Sequence, residues 1–210
     1  MLDTLLIIAL ALNFLALVMS RIRGVIAVVA MQGMLIGILP LFVHPEIWKS
    51  SLPLVGVTIA LKGFVIPMFL RRAARAANLA HEIKPIVSYM SSLLLGALGT
   101  GVALEFSSRL PLAPQHTNML LVPASFATIW TGILLLTTRR EALMQVLGYL
   151  LLENGIFLFS LLLLEAMPFL VEIGVLLDLF TGVFVMGIII HHINRQFASI
   201  NTEYLSELKE

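Results

Sequence analysis

Three ionisable side chains lie near the centres of long apolar segments: Lys62, Glu153 and Asp178. A charge at the centre of a bilayer costs about 2.5–3.5 kcal/mol on insertion scales, so charged residues there usually serve ion or proton transfer or pair inside a helix bundle. A carboxyl in a low-dielectric environment can carry a proton in its neutral form. We therefore expect these three residues to form a proton-transfer site.

Glu153 is about eleven residues from either end of its segment, within the run GYLLLENGIFLF. Asn154 can supply a hydrogen bond next to it, and Gly155 permits a neighbouring helix to approach closely. The functional interpretation is a proton carrier. The alternative is a neutral carboxyl that holds two helices together by hydrogen bonding.

Asp178 has a similar central position in the run EIGVLLDLFTG. Thr181 follows three residues later, on nearly the same helical face, where it could hydrogen-bond Asp178 or hold a water molecule. Glu172 precedes Asp178 by six residues and so lies about 9 Å nearer the outer surface. It is either an outer proton relay or an interfacial carboxylate.

Lys62 lies five residues before Pro67 in the run VTIALKGFVIPMF. A proline inside a helix removes the hydrogen bond to the carbonyl four residues back, which here belongs to Gly63. We therefore expect an irregular backbone beside this lysine. Lys62 is either one half of a static pair with Glu153 or Asp178, or a switch whose pairing weakens when a carboxylate binds a proton.

Gln32 is a further polar residue near the middle of a segment, in AMQGMLIG. With Asn154 and Thr181 it could extend a polar axis, and the alternative is an ordinary helix–helix hydrogen bond. Gly33 and Gly37 have the spacing GxxxG, which is typical of close helix packing.

The elements that position these residues are apolar helices. Hydrophobic residues make up 60% of the 210-residue chain, charged residues 12%, and the mean hydropathy is +1.03. The apolar runs are continuous and do not alternate, which indicates helices and not a β-barrel. We expect an all-α, polytopic membrane protein that forms one integral domain over residues 1–210. Its seven expected spans are 2–20, 24–43, 52–70, 85–105, 117–137, 142–164 and 168–190.

Basic residues predict the orientation of these spans. Ten lie on one side and only Lys49 and Arg109 on the other, with Lys62 inside the membrane. By the positive-inside rule the ten face the cytoplasm, which places the N-terminus outside and the C-terminus in the cytoplasm. The ten are Arg21, Arg23, Arg71, Arg72, Arg75, Lys84, Arg139, Arg140, Arg195 and Lys209.

The chain also has a weak internal repeat. Residues 1–80 and 117–195 share an order of apolar span, basic turn, second span, outer turn, and a span with a central charge. A shift of 116 positions aligns Lys62 with Asp178. Because a single fourth span joins the two halves, both would have the same orientation, as a parallel repeat requires.

Composition excludes several functions. The net charge of +1 gives no nucleic-acid footprint. Cysteine is absent, so the chain has no thiolates for iron–sulfur clusters and no thiol chemistry. We find no nucleophile–base pattern, phosphate loop or cluster of metal ligands. We expect no cofactor in this chain and no catalysis of bond chemistry by it.

The C-terminal half resembles component E of hydrogenase-4, a membrane subunit of formate hydrogenlyase-like and other membrane-bound nickel–iron hydrogenase complexes. The resemblance is carried by the pattern GYxLxENG around Glu153, by LVEIGxxxD ending at Asp178, and by the tail NTEYLSELK. It extends through Lys62. That family is similar in turn to the K subunit of complex I and the C subunit of Mrp antiporters. Glu153 lies about three residues beyond the glutamate position of K subunits, which Leu150 occupies here.

The resemblance implies a multi-pass subunit of a bacterial or archaeal cytoplasmic membrane. Its expected partners are antiporter-like membrane subunits, other hydrogenase membrane subunits and a peripheral redox arm. The nickel–iron centre and the iron–sulfur clusters are expected in those partners. Two alternatives stay open: a subunit of a Mrp-type cation/proton antiporter, and a structural linker whose charges are statically paired.

Overall fold

The computed structural model describes residues 1–43, 48–76, 85–110 and 120–163, together with Gly187. These residues are mainly helical, with short turns and an isolated bridge that pairs Pro85 with Arg139. The α-helices are α1 (Leu2–Val18), α2 (Ile22–Ile38), α3 (Pro40–Val43), α4 (Trp48–Ile59), α5 (Ile66–Ala76), α6 (Tyr89–Ser108), α7 (Leu121–Thr138) and α8 (Ala142–Ser160). A π-helical segment, Ala60–Val65, joins α4 to α5, and a 3₁₀ turn, Leu161–Leu163, follows α8.

Four helical stretches are long and apolar enough to cross a membrane: Ile22–Val43, Tyr89–Ser108, Leu121–Thr138 and Ala142–Ser160. The apolar helix α1 is shorter, with 17 residues. The expected helical membrane class is therefore confirmed. The span at 168–190 and most of the second repeat's last third lie outside the described residues, so the count of seven, the orientation and the repeat remain predictions.

Local sequence explains where several helices begin and end. Pro40 has no N–H to donate to the carbonyl of Ile36, and α2 ends just before it while Leu39 N–H bonds to that carbonyl at 3.1 Å. Pro40 then begins α3, where its missing N–H costs nothing. At the start of α6, the Ser88 hydroxyl caps the helix by accepting the Ser91 N–H at 3.2 Å.

Helices α7 and α8 form a closely packed hairpin because glycines line their contact. A Cβ at Gly132 would lie 2.4 Å from the Leu152 nitrogen, and one at Gly155 would lie 2.6 Å from the Ile129 nitrogen. Gly148 meets α7 in the same way, seven residues and about two turns before Gly155. The expected role of Gly155 in close helix approach is confirmed.

The buried interior of the described residues contains two apolar clusters. One surrounds the turns that join α1 to α2 and α7 to α8, and includes Leu17, Val25, Leu70 and Leu147. The other lies toward the opposite ends of these helices and includes Leu6, Ile36 and Phe157. On α2, α7 and α8 buried polar residues separate the two clusters, and together with Asn13 and Lys62 they form a set that we call the polar layer: Asn13, Gln32, Lys62, Thr128, Glu153 and Asn154.

A candidate site in the polar layer around Lys62

Lys62 is 6% exposed and lies within the π-helical segment. At the end of this segment the Ile66 N–H bonds to the carbonyl of Leu61, five residues back. Pro67 follows directly and cannot donate. The expected irregular backbone beside Lys62 is confirmed. Such π segments within α-helices occur frequently at functional sites.

Glycines of α2 bring the main chain of Lys62 close to that helix. A Cβ at Gly33 would lie 2.8 Å from the Lys62 Cβ, and one at Gly37 would lie 3.2 Å from a side-chain carbon of Ile59. On the π-helical segment itself, a Cβ at Gly63 would lie 2.5 Å from the side chain of Met34 on α2. The GxxxG pair of α2 therefore packs closely, as its spacing predicts, and its partner is the segment that carries the lysine.

The Lys62 ammonium group contacts helix α8. Its Nζ donates to Asn154 Oδ1 at 3.0 Å and lies 5.4 Å from the centre of the Phe157 ring. Glu153 is 4% exposed and directly precedes Asn154, so its side chain leaves the helix about 100° away. The structure thus joins Lys62 to Asn154 and places Glu153 at the same level of the bundle.

The hydrogen bonds continue from Asn154 into α2 and α1. Asn154 Nδ2 donates to Gln32 Oε1 at 3.4 Å. Gln32 Nε2 donates in turn to Asn13 Oδ1 at 2.7 Å and to the Ala9 carbonyl at 3.4 Å. Gln32 is fully buried, and Asn13 is 2% exposed. The amide of Gln32 therefore links α8 to α1 through the interior of the bundle.

The last link reaches α7. Asn13 Nδ2 donates to Thr128 Oγ1 at 2.9 Å, and the Thr128 hydroxyl donates to the carbonyl of Ala124 at 2.7 Å. The continuous chain of side-chain hydrogen bonds, which we call the amide chain, runs Lys62, Asn154, Gln32, Asn13, Thr128. Asn13 and Thr128 were not among the candidate site residues, because one short polar residue in an apolar helix carries no signal of its partners.

A small cavity lies on the other side of Lys62. Its volume is about 10 Å³, which is room for about one water molecule. Lys62 and Asn154 provide its polar wall. Its other residues are Ile26, Val29, Ala30, Ile66, Pro67, Leu70, Leu147 and Leu150. Because its wall extends to Ile26 and Leu70, it lies on the side that faces the basic turns.

Arg139 is a second buried cation, and in the sequence it is only one of the basic turn residues. Its side chain is 0% exposed, with Nη2 donating to the Leu17 carbonyl at 2.8 Å and Nη1 to the Val87 carbonyl at 3.4 Å. The guanidinium lies 5.0 Å from the centre of the Tyr89 ring. Burial lowers the pKa of Arg139, against the opposing effects of Tyr89 and Glu141.

The other predicted site residues, Asp178, Glu172 and Thr181, lie outside the described residues. Within the described ranges, no three histidine or acidic side chains group together as metal ligands. What the described part presents is a charge-bearing polar layer between two apolar clusters. The described residues therefore define a helical membrane protein with a buried polar site.

Comparison with known proteins gives the family. The chain is 31% identical to the uncharacterized protein Rv0085 of Mycobacterium tuberculosis over 191 residues, which cover 90% of this chain and 87% of that protein. The chain therefore belongs to the same family as Rv0085.

More distant relatives have a named function. The chain is 28% identical to hydrogenase-4 component E of Escherichia coli K12 and of Shigella flexneri over 168 residues, 78% of this chain and 73% of each relative. This distant homology supports the resemblance drawn from the sequence. No family model matches the chain, and no solved structure matches it.

Proposed function

We propose that this protein is a membrane subunit of a hydrogenase-type redox complex and contributes buried charges to a proton path through the membrane. Glu153 and Asp178 would carry protons, Lys62 would be their charge partner, and Glu172 would be an outer relay. The homology to hydrogenase-4 component E supports the assignment to such a complex. The nickel–iron and iron–sulfur centres would belong to partner subunits, because this chain has no cysteine.

The observation that carries the proton-path proposal is the position of Lys62 beside the Glu153–Asn154 pair. Lys62 Nζ is 3.0 Å from Asn154 Oδ1, and both Lys62 and Glu153 are buried in the polar layer between two apolar clusters. In such a low-dielectric interior, the charge of one group changes the free energy of charging a neighbour by several kcal/mol. A redox-linked change at one site could therefore bias proton binding at the next.

The first experiment is purification of the tagged full chain from its native membrane in mild detergent, followed by mass spectrometry of what accompanies it. We expect a nickel–iron hydrogenase-like large subunit, iron–sulfur proteins and antiporter-like membrane subunits. Recovery of antiporter subunits alone would favour a cation/proton exchanger. Recovery of the chain without any stable partner would contradict the assignment to a complex.

The second experiment replaces one buried carboxyl and one exposed carboxyl. Glu105 is the matched control because it is exposed and pairs with Arg109 on the surface at 2.6 Å. We expect Glu153→Gln to leave the complex assembled and to lower hydrogen-linked proton transport in inverted membrane vesicles by about 10²-fold or more. Glu105→Gln should leave transport unchanged.

Two other outcomes would each favour an alternative function. Loss of assembly in Glu153→Gln, with no separate transport defect, would favour a structural linker. Activity of the unmodified protein that requires sodium, and fails in potassium or choline, would favour the antiporter.

A further inference from the structure

The amide chain has one direction. At its far end the Ala124 carbonyl, which can only accept, takes the Thr128 hydroxyl hydrogen, and at the near end Lys62 Nζ donates to Asn154 Oδ1. The Asn154 NH₂ group then faces Gln32, which must present its Oε1 in return. Gln32 is left with its NH₂ group for the next link.

Donors and acceptors alternate in the same way as far as Thr128, the last residue of the amide chain. Asn13 accepts from Gln32 through Oδ1 and donates through Nδ2 to Thr128. The Thr128 hydroxyl hydrogen is directed to the Ala124 carbonyl, which leaves its oxygen free to accept from Asn13. All five hydrogen bonds therefore point away from Lys62, and each side-chain amide presents its oxygen end toward the lysine.

This alignment favours a positive charge at Lys62. Each amide dipole has its negative end toward Nζ, and hydrogen bonds in a chain strengthen one another, by about 10–30% per bond. The face of the Phe157 ring, 5.4 Å from Nζ, acts in the same sense. The side chains that link Lys62 to the Ala124 carbonyl are three amides and one hydroxyl, and none of these groups exchanges a proton readily. The amide chain is therefore suited to stabilising a positive charge at Lys62 and not to conducting protons.

We propose that the amide chain is a charge-holding device that keeps Lys62 as an ammonium ion. Gln32, Asn13 and Thr128 are its positioning residues, and they act on Lys62 through Asn154. Glu153 on α8 is the other titratable side chain described at this level, while the contact with α2 is made through Gly33. The proposal that this charge serves proton transfer rests on the proposed function, whereas the stabilisation of the charge does not.

A double-mutant cycle on the purified full chain tests the device. Gln32→Leu and Lys62→Met are measured singly and together by thermal unfolding in detergent. We expect Gln32→Leu to lower Tm, and this loss to be smaller by about a third or more in the Lys62→Met background, where no ammonium remains to be held. Additive losses would overturn the proposal.

Thr128 and Thr131 provide a matched pair at the far end of the chain. Both are buried and donate to the carbonyl four residues back, at 2.7 and 2.8 Å, but only Thr128 accepts from Asn13. Each is replaced by Val, which keeps the volume and removes the hydroxyl. We expect Thr128→Val to couple to Lys62→Met and Thr131→Val to be additive with it.

A second measurement reads the lysine directly. Trace acetic anhydride acylates a neutral amine and not an ammonium ion, and the chain's other lysines, Lys49, Lys84 and Lys209, serve as internal references in the same digest. Thr128→Val should raise the labelling of Lys62 relative to these references. Thr131→Val should not. Identical behaviour of the two valine variants would overturn the proposal, and the result is independent of whether hydrogenase subunits accompany the chain.

Discussion

Lys62 and Arg139 are two buried cations that the fold accommodates in opposite ways. Arg139 donates to two backbone carbonyls, that of Leu17 in the last turn of α1 and that of Val87 just before α6 begins. Lys62 is bound by a side-chain amide in the middle of a helix. The first arrangement is at the level of the basic turns, and the second lies between the two apolar clusters.

The two sites differ in whether a single substitution of a neighbouring residue can remove a ligand of the buried cation. A backbone carbonyl is present whatever the side chain, and the Leu17 carbonyl belongs to the last turn of α1, where a cation also interacts favourably with the helix dipole. The surroundings of Lys62 depend on the identity of Asn154 and of the residues behind it. Arg139 is therefore suited to fixing the fold, while the charge at Lys62 can be tuned.

Replacement of Arg139 should have the largest effect on stability. Arg139→Met removes a charged donor from the carbonyls of Leu17 and Val87, and hydrogen bonds to charged groups contribute about 1.5–3 kcal/mol each. We expect a loss of roughly 3 kcal/mol or more in the free energy of unfolding. The measurement is unfolding of the purified full chain in detergent.

The adjacent Arg140 is the matched control, because it is exposed and has the same charge. Arg140→Met should change stability by less than about 0.5 kcal/mol. Arg139→Lys should recover only part of the loss, since an ammonium group lacks the planar fork that reaches two carbonyls. Equal losses in Arg139→Met and Arg140→Met would show that burial of Arg139 contributes nothing.

Much of the helical framework could be predicted from the sequence. Long apolar runs require helices in a membrane, and the first six expected spans each coincide with a described helix or helical series. Pro67 predicts the irregular backbone at Lys62 because proline has no N–H to donate to the carbonyl of Gly63, and this can be read directly from the sequence. Each of these predictions depends on a property of one segment.

The partners within the bundle could not be predicted in the same way. In a membrane helix, the lipid-facing and the buried faces are both apolar, so hydrophobic periodicity does not reveal which way Asn13 or Thr128 points. Arg139 and Arg140 are likewise indistinguishable in sequence, although one is fully buried and the other exposed. Such assignments depend on helix rotation and depth, which the packing of the whole bundle determines.

A methyl group at Gly33 should disturb Lys62 without removing any polar group. Its Cβ would lie 2.8 Å from the Lys62 Cβ, which belongs to the stem of the side chain and cannot move without the backbone. We expect Gly33→Ala to cost about 1–3 kcal/mol, as overpacking typically does. Thermal unfolding measures the loss.

Gly56 is the control for this substitution, because a Cβ there would meet nothing within 4 Å. Gly56→Ala should be neutral or slightly stabilising, since alanine favours the helix. If Gly33→Ala were also neutral, the close contact between α2 and the π segment would not constrain Lys62.

Replacement of Lys62 itself should change stability less than replacement of Arg139. Lys62→Met removes the hydrogen bond to Asn154, but it also removes the free-energy cost of burying an ammonium group, and these two effects oppose each other. The buried Glu153 carboxyl then has no cation beside it, but it avoids an uncompensated charge if it is buried in its neutral form. We expect a net change of less than about 1.5 kcal/mol. Parallel unfolding of Lys62→Met and Arg139→Met provides the comparison, and a larger loss for Lys62→Met would reverse the roles assigned to the two cations.

The smallest effect concerns pH at Arg139. Burial lowers its pKa, so the unfolded chain binds this proton more tightly than the folded one, and stability would rise with pH only in the range where the guanidinium titrates. Because arginine remains charged in both states between about pH 6 and pH 9, that contribution is flat there. The difference in Tm between the unmodified protein and Arg139→Met should therefore stay constant across this interval. A difference that varied with pH would mean that another titrating group shares the site, and Tyr89 and Glu141, whose charges act on Arg139, would be the first to replace.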